Sequence, residues 1–386
     1  AVGKMSKFDL DKYLKDLEEL VNHESFTHDF ENLNKTADYL VKKYKDAGLY
    51  VDVEYQGEEK LAHIVASTVD PKEVAGEEKP YDIMFIGHYD TVFDTGTVAK
   101  RPFSIDGDKA KGPGVADMKA GDLLAFYLTL ELRERYPDAR ILIVNNGDEE
   151  GGSYISGESL TEISKKVKYA FDMESGRLNH RFVKTRKGVG EIKIKFKGRP
   201  SHAGIAPEKG ANAVEEAANW VLALHKLNKP EKGVTVNVDV INGGVLANVI
   251  AEDCEIIFDD RFLTLEDRDE IEEGVRYLMD HPFNPEVKNE FIKLSEFPPM
   301  VMIPETQKMI DIMNEEAEKL GLDIGFIDVA GASDASLVSL AGTPIIDACG
   351  PCGEFFHTDD EYLLIHTIEE RYDVLLASIE RLLGKK

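Results

Sequence analysis

The chain reads as an α/β protein in which a parallel-rich sheet domain is interrupted by an inserted ferredoxin-like α+β domain. Three observations predict this. Short β-branched runs such as Ile141-Leu142-Ile143-Val144 alternate with helical segments, the texture of a sheet covered on both faces. Further on, Glu191-Ile192-Lys193-Ile194-Lys195-Phe196-Lys197 alternates strictly, as an antiparallel strand with one wet face does. At 386 residues the chain also exceeds the size at which a single core stops growing, so two domains are expected. The parent domain is assigned residues 1–184 and 300–386, and the insert residues 185–299.

Taken in order, Leu10, Tyr13, Leu14, Leu17, Leu20 and Val21 recur at helical spacing, and a second amphipathic helix over 33–47 stops at Gly48. Strands follow at 50–55, 61–67 and 83–86, the last running into Gly87-His88-Tyr89-Asp90-Thr91-Val92. A polar, glycine-rich loop covers 93–111, after which Val115-Ala116-Asp117-Met118-Lys119-Ala120-Gly121 opens a helix with Leu123, Leu124, Tyr127, Leu130 and Leu132 on its apolar face. The strand at 141–144 ends in Asn145-Asn146-Gly147-Asp148-Glu149-Glu150-Gly151-Gly152. In the insert, the alternating strand at 191–197 leads to a helix carrying Ala213, Ala217, Trp220, Val221 and Leu224. Strands at 234–240 and 254–262, a charged helix at 266–280 and a loop at 281–299 follow. That order resembles the β-α-β-β-α-β of a ferredoxin-like unit. The parent domain resumes with a helix at 305–320, a strand at 326–329, a loop and helix at 331–341, a strand at 344–348 and a terminal helix at 367–383.

Composition narrows the function. A net charge of −27 provides no basic footprint for nucleic acid and disfavours anionic membrane surfaces, while suiting metal cations. No apolar run reaches membrane-spanning length and the opening stretch has no signal-peptide core, so a cytoplasmic protein is expected. Ala1-Val2-Gly3-Lys4, ahead of Met5, reads as an expression remnant. Three cysteines make no disulfide framework, and Cys349-Gly350-Pro351-Cys352 lies near the chain end, away from the helix-opening context of a redox motif.

The informative residues sit where apolar runs end or helices begin, which is where an open α/β sheet binds ligands. They are His88, Asp90, Asp117, Glu149, Glu150, Asp172 or Glu174, and His357. Imidazole with carboxylate and no thiolate suits Zn²⁺, Co²⁺ or Mn²⁺. Two histidines and three carboxylates, one of them bridging, make two sites with an open position between them, an arrangement that clamps both an attacking hydroxide and a polarised carbonyl. Asp90 lies two residues beyond His88 and can hold its other ring nitrogen. Of Glu149 and Glu150, one can bind metal while its neighbour stays free as a general base.

Gly87-His88-Tyr89-Asp90-Thr91-Val92, Ala116-Asp117-Met118-Lys119-Ala120-Gly121, Asp148-Glu149-Glu150-Gly151, Gly198-Arg199-Pro200-Ser201-His202-Ala203-Gly204 and Phe356-His357-Thr358-Asp359 resemble, in order, the signatures of the co-catalytic dizinc aminoacylase/carboxypeptidase metallopeptidase family. The resemblance spans residues 9–383. It is greatest to glutamate carboxypeptidases, through Ser201-His202-Ala203-Gly204-Ile205-Ala206-Pro207-Glu208 and Gly331-Ala332-Ser333-Asp334-Ala335-Ser336.

The resemblance implies a zinc-exopeptidase-like catalytic domain with a lid and dimerisation insert, two Zn²⁺ per subunit (Co²⁺ or Mn²⁺ as substitutes) and a homodimer formed through the insert. His88 and Glu174 would bind one ion, Glu150 and His357 the other, and Asp117 would bridge; Asp172 stays open in place of Glu174. Glu149 would be the general base, Asp90 would orient His88, and His202 would stabilise the oxyanion across the dimer. A cis peptide is implied at Asp117-Met118. Arg261 and Asn248, with Gly331, would receive the substrate carboxylate, an arginine fork being suited to bidentate carboxylate binding. The second arginine of glutamate carboxypeptidases is not matched, since Glu290-Phe291-Ile292-Lys293-Leu294-Ser295 offers only Lys293. The expected reaction is hydrolysis of a peptide or amide bond beside a free carboxylate, as a carboxypeptidase or dipeptidase. The alternative is an N-acyl amino acid deacylase of the acetylornithine deacetylase or succinyl-diaminopimelate desuccinylase type.

Overall fold

The computed structural model describes residues 6–386, and Ala1–Met5, with the expected expression remnant Ala1–Lys4, lie outside the described residues. The chain packs as two compact units. One holds the described residues up to Thr185, with Met302–Asp328 and Ser333–Lys386; the other holds Arg186–Val301 with Val329–Ala332.

The first unit opens with helices α1 (Leu10–Val21) and α2 (Phe30–Asp46), both N-capped by aspartates. Asp9 accepts from the Lys12 N–H and Asp29 from the Asn32 N–H, each at 3.1 Å, satisfying donors the first helical turn leaves free. Strands β1 (Tyr50–Gln56), β2 (Leu61–Ser67) and β3 (Tyr81–His88) follow. The stretch expected as a loop over 93–111 contains a single turn, α3 (Thr97–Lys100), and two short paired strands, β4 (Ser104–Asp106) and β5 (Lys109–Lys111). After the irregular turn Val115–Lys119 come α4 (Ala120–Arg135), β6 (Ile141–Asn146), α5 (Gly157–Ser164), β7 (Val167–Asp172) and β8 (Arg181–Arg186).

The second unit is an antiparallel sheet with two helices: β9 (Gly188–Lys197), α6 (Ala213–His225), β10 (Thr235–Gly243), β11 (Asp253–Phe262), α7 (Leu265–Asp280) and β12 (Lys288–Phe297). The sheet order β10-β11-β9-β12 is that of a ferredoxin-like unit. Burial alternates residue by residue along β9 and β11, and the inward side chains Ile192, Ile194, Phe196, Ile256 and Phe258 pack on Trp220 and Leu224 of α6. The expected loop over 281–299 is replaced over most of its length by β12, which pairs with β9 and carries a bulge between Lys293 and Ser295.

Back in the first unit, α8 (Pro304–Lys319), β13 (Gly325–Val329), α9 (Asp334–Leu340), β14 (Ile345–Ile346), β15 (Gly353–Glu354), β16 (Tyr362–Leu364) and α10 (His366–Leu382) complete the chain. Of the loop and helix expected over 331–341, the helix starts at Asp334 with Ser333 as its N-cap, and Gly331 falls in the second unit. The main sheet runs β1-β2-β6-β3-β7-β14, with β6, β3, β7 and β14 parallel and β2 and β1 antiparallel at one edge. Every residue of β6 is buried, as a strand covered on both faces must be. No helix among the described residues is long and apolar enough to cross a membrane.

Candidate metal centre

Register decides what meets at the carboxyl ends of the parallel strands. Gly87 and His88 at the end of β3 pair with Asn145 and Asn146 at the end of β6, and Ile86 pairs with Asp172 at the end of β7. The residues that leave these strands, Asp90, Glu149-Glu150 and Glu174, therefore emerge along one sheet edge. Gly87 is small for a physical reason: a Cβ there would lie 2.0 Å from Asp122 Oδ1 and 2.6 Å from Met118 Cε. That absence of side chain lets the Asp117-bearing turn pack directly on β3. At Gly121 a Cβ would lie 1.6 Å from the Met173 carbonyl, so the start of α4 closes on the Glu174 segment in the same way. The Asp117–Met118 peptide is cis, and both residues leave helical geometry. His357 comes from the turn between β15 and β16, at φ 65°.

These side chains converge. His88 Nε2 lies 2.9 Å from Glu174 Oε1, 3.3 Å from Asp117 Oδ1 and 3.4 Å from Glu149 Oε2. His357 Nε2 lies 3.0 Å from Asp117 Oδ2 and 3.2 Å from Glu150 Oε1. Asp117 thus has one carboxylate oxygen beside each imidazole. Three overlapping groups have ligand atoms close enough together to share an ion: His88 with Asp117 and Glu174, Asp117 with Glu150 and His357, and His88 with Glu149 and Glu150. Asp172, the alternative to Glu174, is turned elsewhere: it accepts from the Glu174 N–H at 3.3 Å and lies 3.5 Å from Ser333 Oγ.

The surroundings fix these groups. His88 Nδ1 lies 3.0 Å from the Asp90 carbonyl oxygen and 3.1 Å from its Oδ1, both acceptors, so Nδ1 carries a proton and Nε2 is the nitrogen turned to the carboxylates and available to a cation once its own proton is displaced. The other Asp90 oxygen accepts from the Glu150 N–H at 3.0 Å, tying the two strand ends together. Asp148, beside Glu149, is structural: it accepts from the N–H groups of Ile155 and Ser156 and from Ser156 Oγ, closing its own loop. Cys349 and Cys352 are buried free thiols, and between them Gly350 donates its N–H to the Glu174 carbonyl at 2.8 Å, so this segment shapes the Glu174 segment.

Electrostatically the cluster is unbalanced. Burial raises Glu149, Glu150 and Glu174, the last to about 8, because ionised carboxylates crowd one another away from water. Hydrogen bonds to Asp117 and Glu150 push His357 up to about 10. Burial opposes a charged His88, but Glu174 and Glu149 outweigh it and raise its pKa. His88 Nε2 is buried without a properly formed hydrogen bond among the described residues, despite the carboxylates around it. A buried imidazole nitrogen amid mutually repelling carboxylates is a donor set that fits divalent cations, which would hold the carboxylates ionised and the imidazoles neutral.

A match to the description Peptidase family M20/M25/M40 covers residues 84–381, from within β3 to α10. The chain belongs to peptidase family M20/M25/M40. It is a metallopeptidase, and the match includes every clustered residue named above. Among M20/M25/M40-related sequences, the chain is 29% identical to carboxypeptidase G2 of Pseudomonas sp. over 364 residues, 93% of this chain and 86% of that one. It is 27% identical to a succinyl-diaminopimelate desuccinylase of Hydrogenovibrio crunogenus over 80% of this chain and 85% of that one. Among solved structures it matches aminopeptidase PepT of Bacillus cereus with a TM-score of 0.74 at 20% identity, covering 98% of this chain and all (100%) of that one. A dinuclear metal binding peptidase of the M20 family from Bacillus subtilis matches with a TM-score of 0.69 at 15% identity, covering 98% and 99%. These two likenesses concern the fold.

The remaining expected site residues, His202, Asn248, Arg261 and Gly331, belong to the second unit. His202 Nδ1 accepts from the N–H groups of Gly204 and Ile205, both at 3.1 Å, which leaves the proton on Nε2 as a free donor. Arg261 is already engaged: Nε and Nη2 donate to the two Asp259 oxygens at 2.8 and 3.0 Å, and Nη1 to the Ala330 carbonyl at 3.4 Å. The Asn248 carbonyl accepts from the Ala203 N–H, and the Gly331 carbonyl from Arg186 Nη1. Sequence reasoning did not single out Asp122, Glu361, Lys119 or Asp334, all buried around the cluster. Lys119 donates from Nζ to the carbonyls of Leu20 and His23 at the end of α1, and Asp334 accepts from Asn146 Nδ2 at 2.7 Å. Only the motif around Asp117 carried any signal for Lys119.

Proposed function

We propose that this chain is a two-zinc carboxypeptidase or dipeptidase that hydrolyses a peptide bond beside a free carboxylate, acting as a cytoplasmic homodimer. The observation that carries the reading is Asp117 with one oxygen toward each imidazole, Glu149 standing beside His88. His88 and Glu174 would hold one ion, Glu150 and His357 the other, with Asp117 shared. When bound, the ions would polarise the scissile carbonyl and acidify a water between them.

The chain's own residues do the rest. Glu149 takes the proton of the attacking water and passes it to the leaving nitrogen. Asp90 keeps the proton of His88 on Nδ1 and so keeps Nε2 available as a ligand. His202, its Nδ1 occupied by two backbone donors, would offer Nε2–H to the oxyanion across the dimer. Arg261, with Asn248 and Gly331, receives the substrate carboxylate; to do so its fork must be shared with, or released from, Asp259. Dimerisation through the second unit is supported by β10, an edge strand whose outer residues Val240 and Ile241 are exposed along with Val245 and Leu246 in the following turn.

A small-molecule deacylase is the second reading. It is favoured by the desuccinylase relative and by Lys293, whose ammonium is held by Glu272 and lies 3.4 Å from Glu296 rather than being free for a glutamate side chain. Turnover of dipeptides, C-terminal glutamyl substrates and N-succinyl or N-acetyl amino acids, each with added Zn²⁺, Co²⁺ or Mn²⁺, separates the two. Faster hydrolysis of dipeptides or glutamyl substrates supports the first reading. Faster hydrolysis of N-acyl amino acids by ~10-fold or more, a difference of ~1.4 kcal/mol in transition-state binding, overturns it.

A further inference from the structure

We infer that Glu361 is a positioning residue that sets the Asp117 carboxylate for two cations. The inference rests on the dinuclear reading of the site and adds a residue to it. Asp117 has to aim two oxygens in two directions, and it does so from a turn in which it and Met118 leave helical geometry. The chain arrives through Gly112 at φ 146° and Gly114 at φ 74°, and Asp117 and Met118 depart from helical φ/ψ, so the usual helical hydrogen-bond ladder is interrupted here. Glu361 restrains this segment from outside. Its Oε2 accepts from the Ala116 N–H at 2.9 Å and from the Asp117 N–H at 3.3 Å, across 245 and 244 residues of sequence. Glu361 also follows His357 by four residues, so one short segment delivers a ligand and fixes the residue that bridges to it.

What stands behind Glu361 argues that its acceptor oxygen is used and not merely its bulk. Its second oxygen, Oε1, is buried without a hydrogen-bond partner among the described residues, and so are Nε, Nη1 and Nη2 of Arg101. Burial raises the Glu361 carboxyl to about 8, and the guanidinium of Arg101, which stacks on Phe93 at 5.0 Å and lies 3.7 Å from Asp359, opposes that rise. A carboxylate that merely filled space could be an amide or an apolar side chain. One that holds two backbone donors beside a buried guanidinium keeps Asp117 in a single orientation, and groups that orient metal ligands typically affect affinity by ~10–100-fold.

The test is a Co²⁺ titration of the full-length protein, wild type, Glu361→Ala and Glu361→Gln, followed by the visible spectrum, with kcat and KM on the best substrate. Wild type should take up two ions. Glu361→Ala should bind at least one of them ~10–100-fold more weakly, with an altered dicobalt spectrum and a fall in kcat rather than a rise in KM. Glu361→Gln keeps one oxygen for both N–H donors but turns an NH₂ toward the Arg101 side, so it should fall between the two. Wild-type affinities and spectrum in Glu361→Ala, or in Glu361→Gln should the alanine variant not fold, would overturn the assignment. A wild-type protein that takes up fewer than two ions would instead fail the dinuclear reading, a distinguishable result.

Discussion

Both units bury charged side chains, and the difference between them separates structure from chemistry. In the second unit Glu216 is buried on α6, yet its oxygens accept from Trp220 Nε1 at 3.1 Å, the Phe283 N–H at 3.0 Å and the Asn284 N–H at 2.8 Å. A buried carboxylate with that many donors is satisfied and needs nothing more. In the first unit the half-buried carboxylates at the strand ends face one another and two imidazoles, and their pKa values are pushed up. Acceptors outnumber donors there, and the deficit is positive charge. Burial alone therefore says little about function, whereas an unbalanced set of buried groups along one sheet edge says a great deal.

The largest effect expected from breaking this contrast is at Glu149. Glu149→Ala should lower kcat by ~10²–10⁴-fold, the usual worth of a general base, while elemental analysis still finds the wild-type metal content. Retained turnover at full occupancy would show that the proton is moved by another group.

The next effect is on metal affinity as a function of pH. His357, raised to about 10, and Glu174, raised to about 8, are both protonated at pH 7 in the metal-free protein and must lose those protons to bind. Affinity should therefore rise with pH from 7 towards 10, by up to ~10-fold per pH unit for each proton displaced. Calorimetry in two buffers of different ionisation enthalpy should report net proton release on metal binding, and no release would contradict the sign worked out here.

The smallest effect is the control in the other unit. Glu216→Ala leaves donors of Trp220, Phe283 and Asn284 unpaired and should cost about 1–3 kcal/mol in urea unfolding, with metal content unchanged. Loss of metal in that variant would erase the distinction between the two regions.

What could be read without coordinates follows the same physics. The strict alternation over Glu191–Lys197 announces β9 because one of its faces is wet, and the unbroken apolar run before Asn145 announces β6 because neither is. β12 stays hidden because it is an edge strand with mostly exposed or half-exposed residues and a bulge, behind the turn-forming His281-Pro282-Phe283-Asn284-Pro285. In the site, His88, Asp117 and His357 stand alone in short motifs, whereas Glu361 ends the acidic stretch Asp359-Asp360-Glu361 and only packing distinguishes it. Period-two alternation puts Asp172 and Glu174 on one face, but β7 ends at Asp172, so beyond that point the rule no longer applies and the two carboxylates part.

The account depends on two cations sharing Asp117. Equilibrium dialysis against Zn²⁺ followed by elemental analysis of wild type and Asp117→Ala tests that most directly. Two zinc ions per wild-type chain, with at least one lost from the variant, are predicted; a wild-type chain holding one or none, or a variant that still holds two, would contradict it.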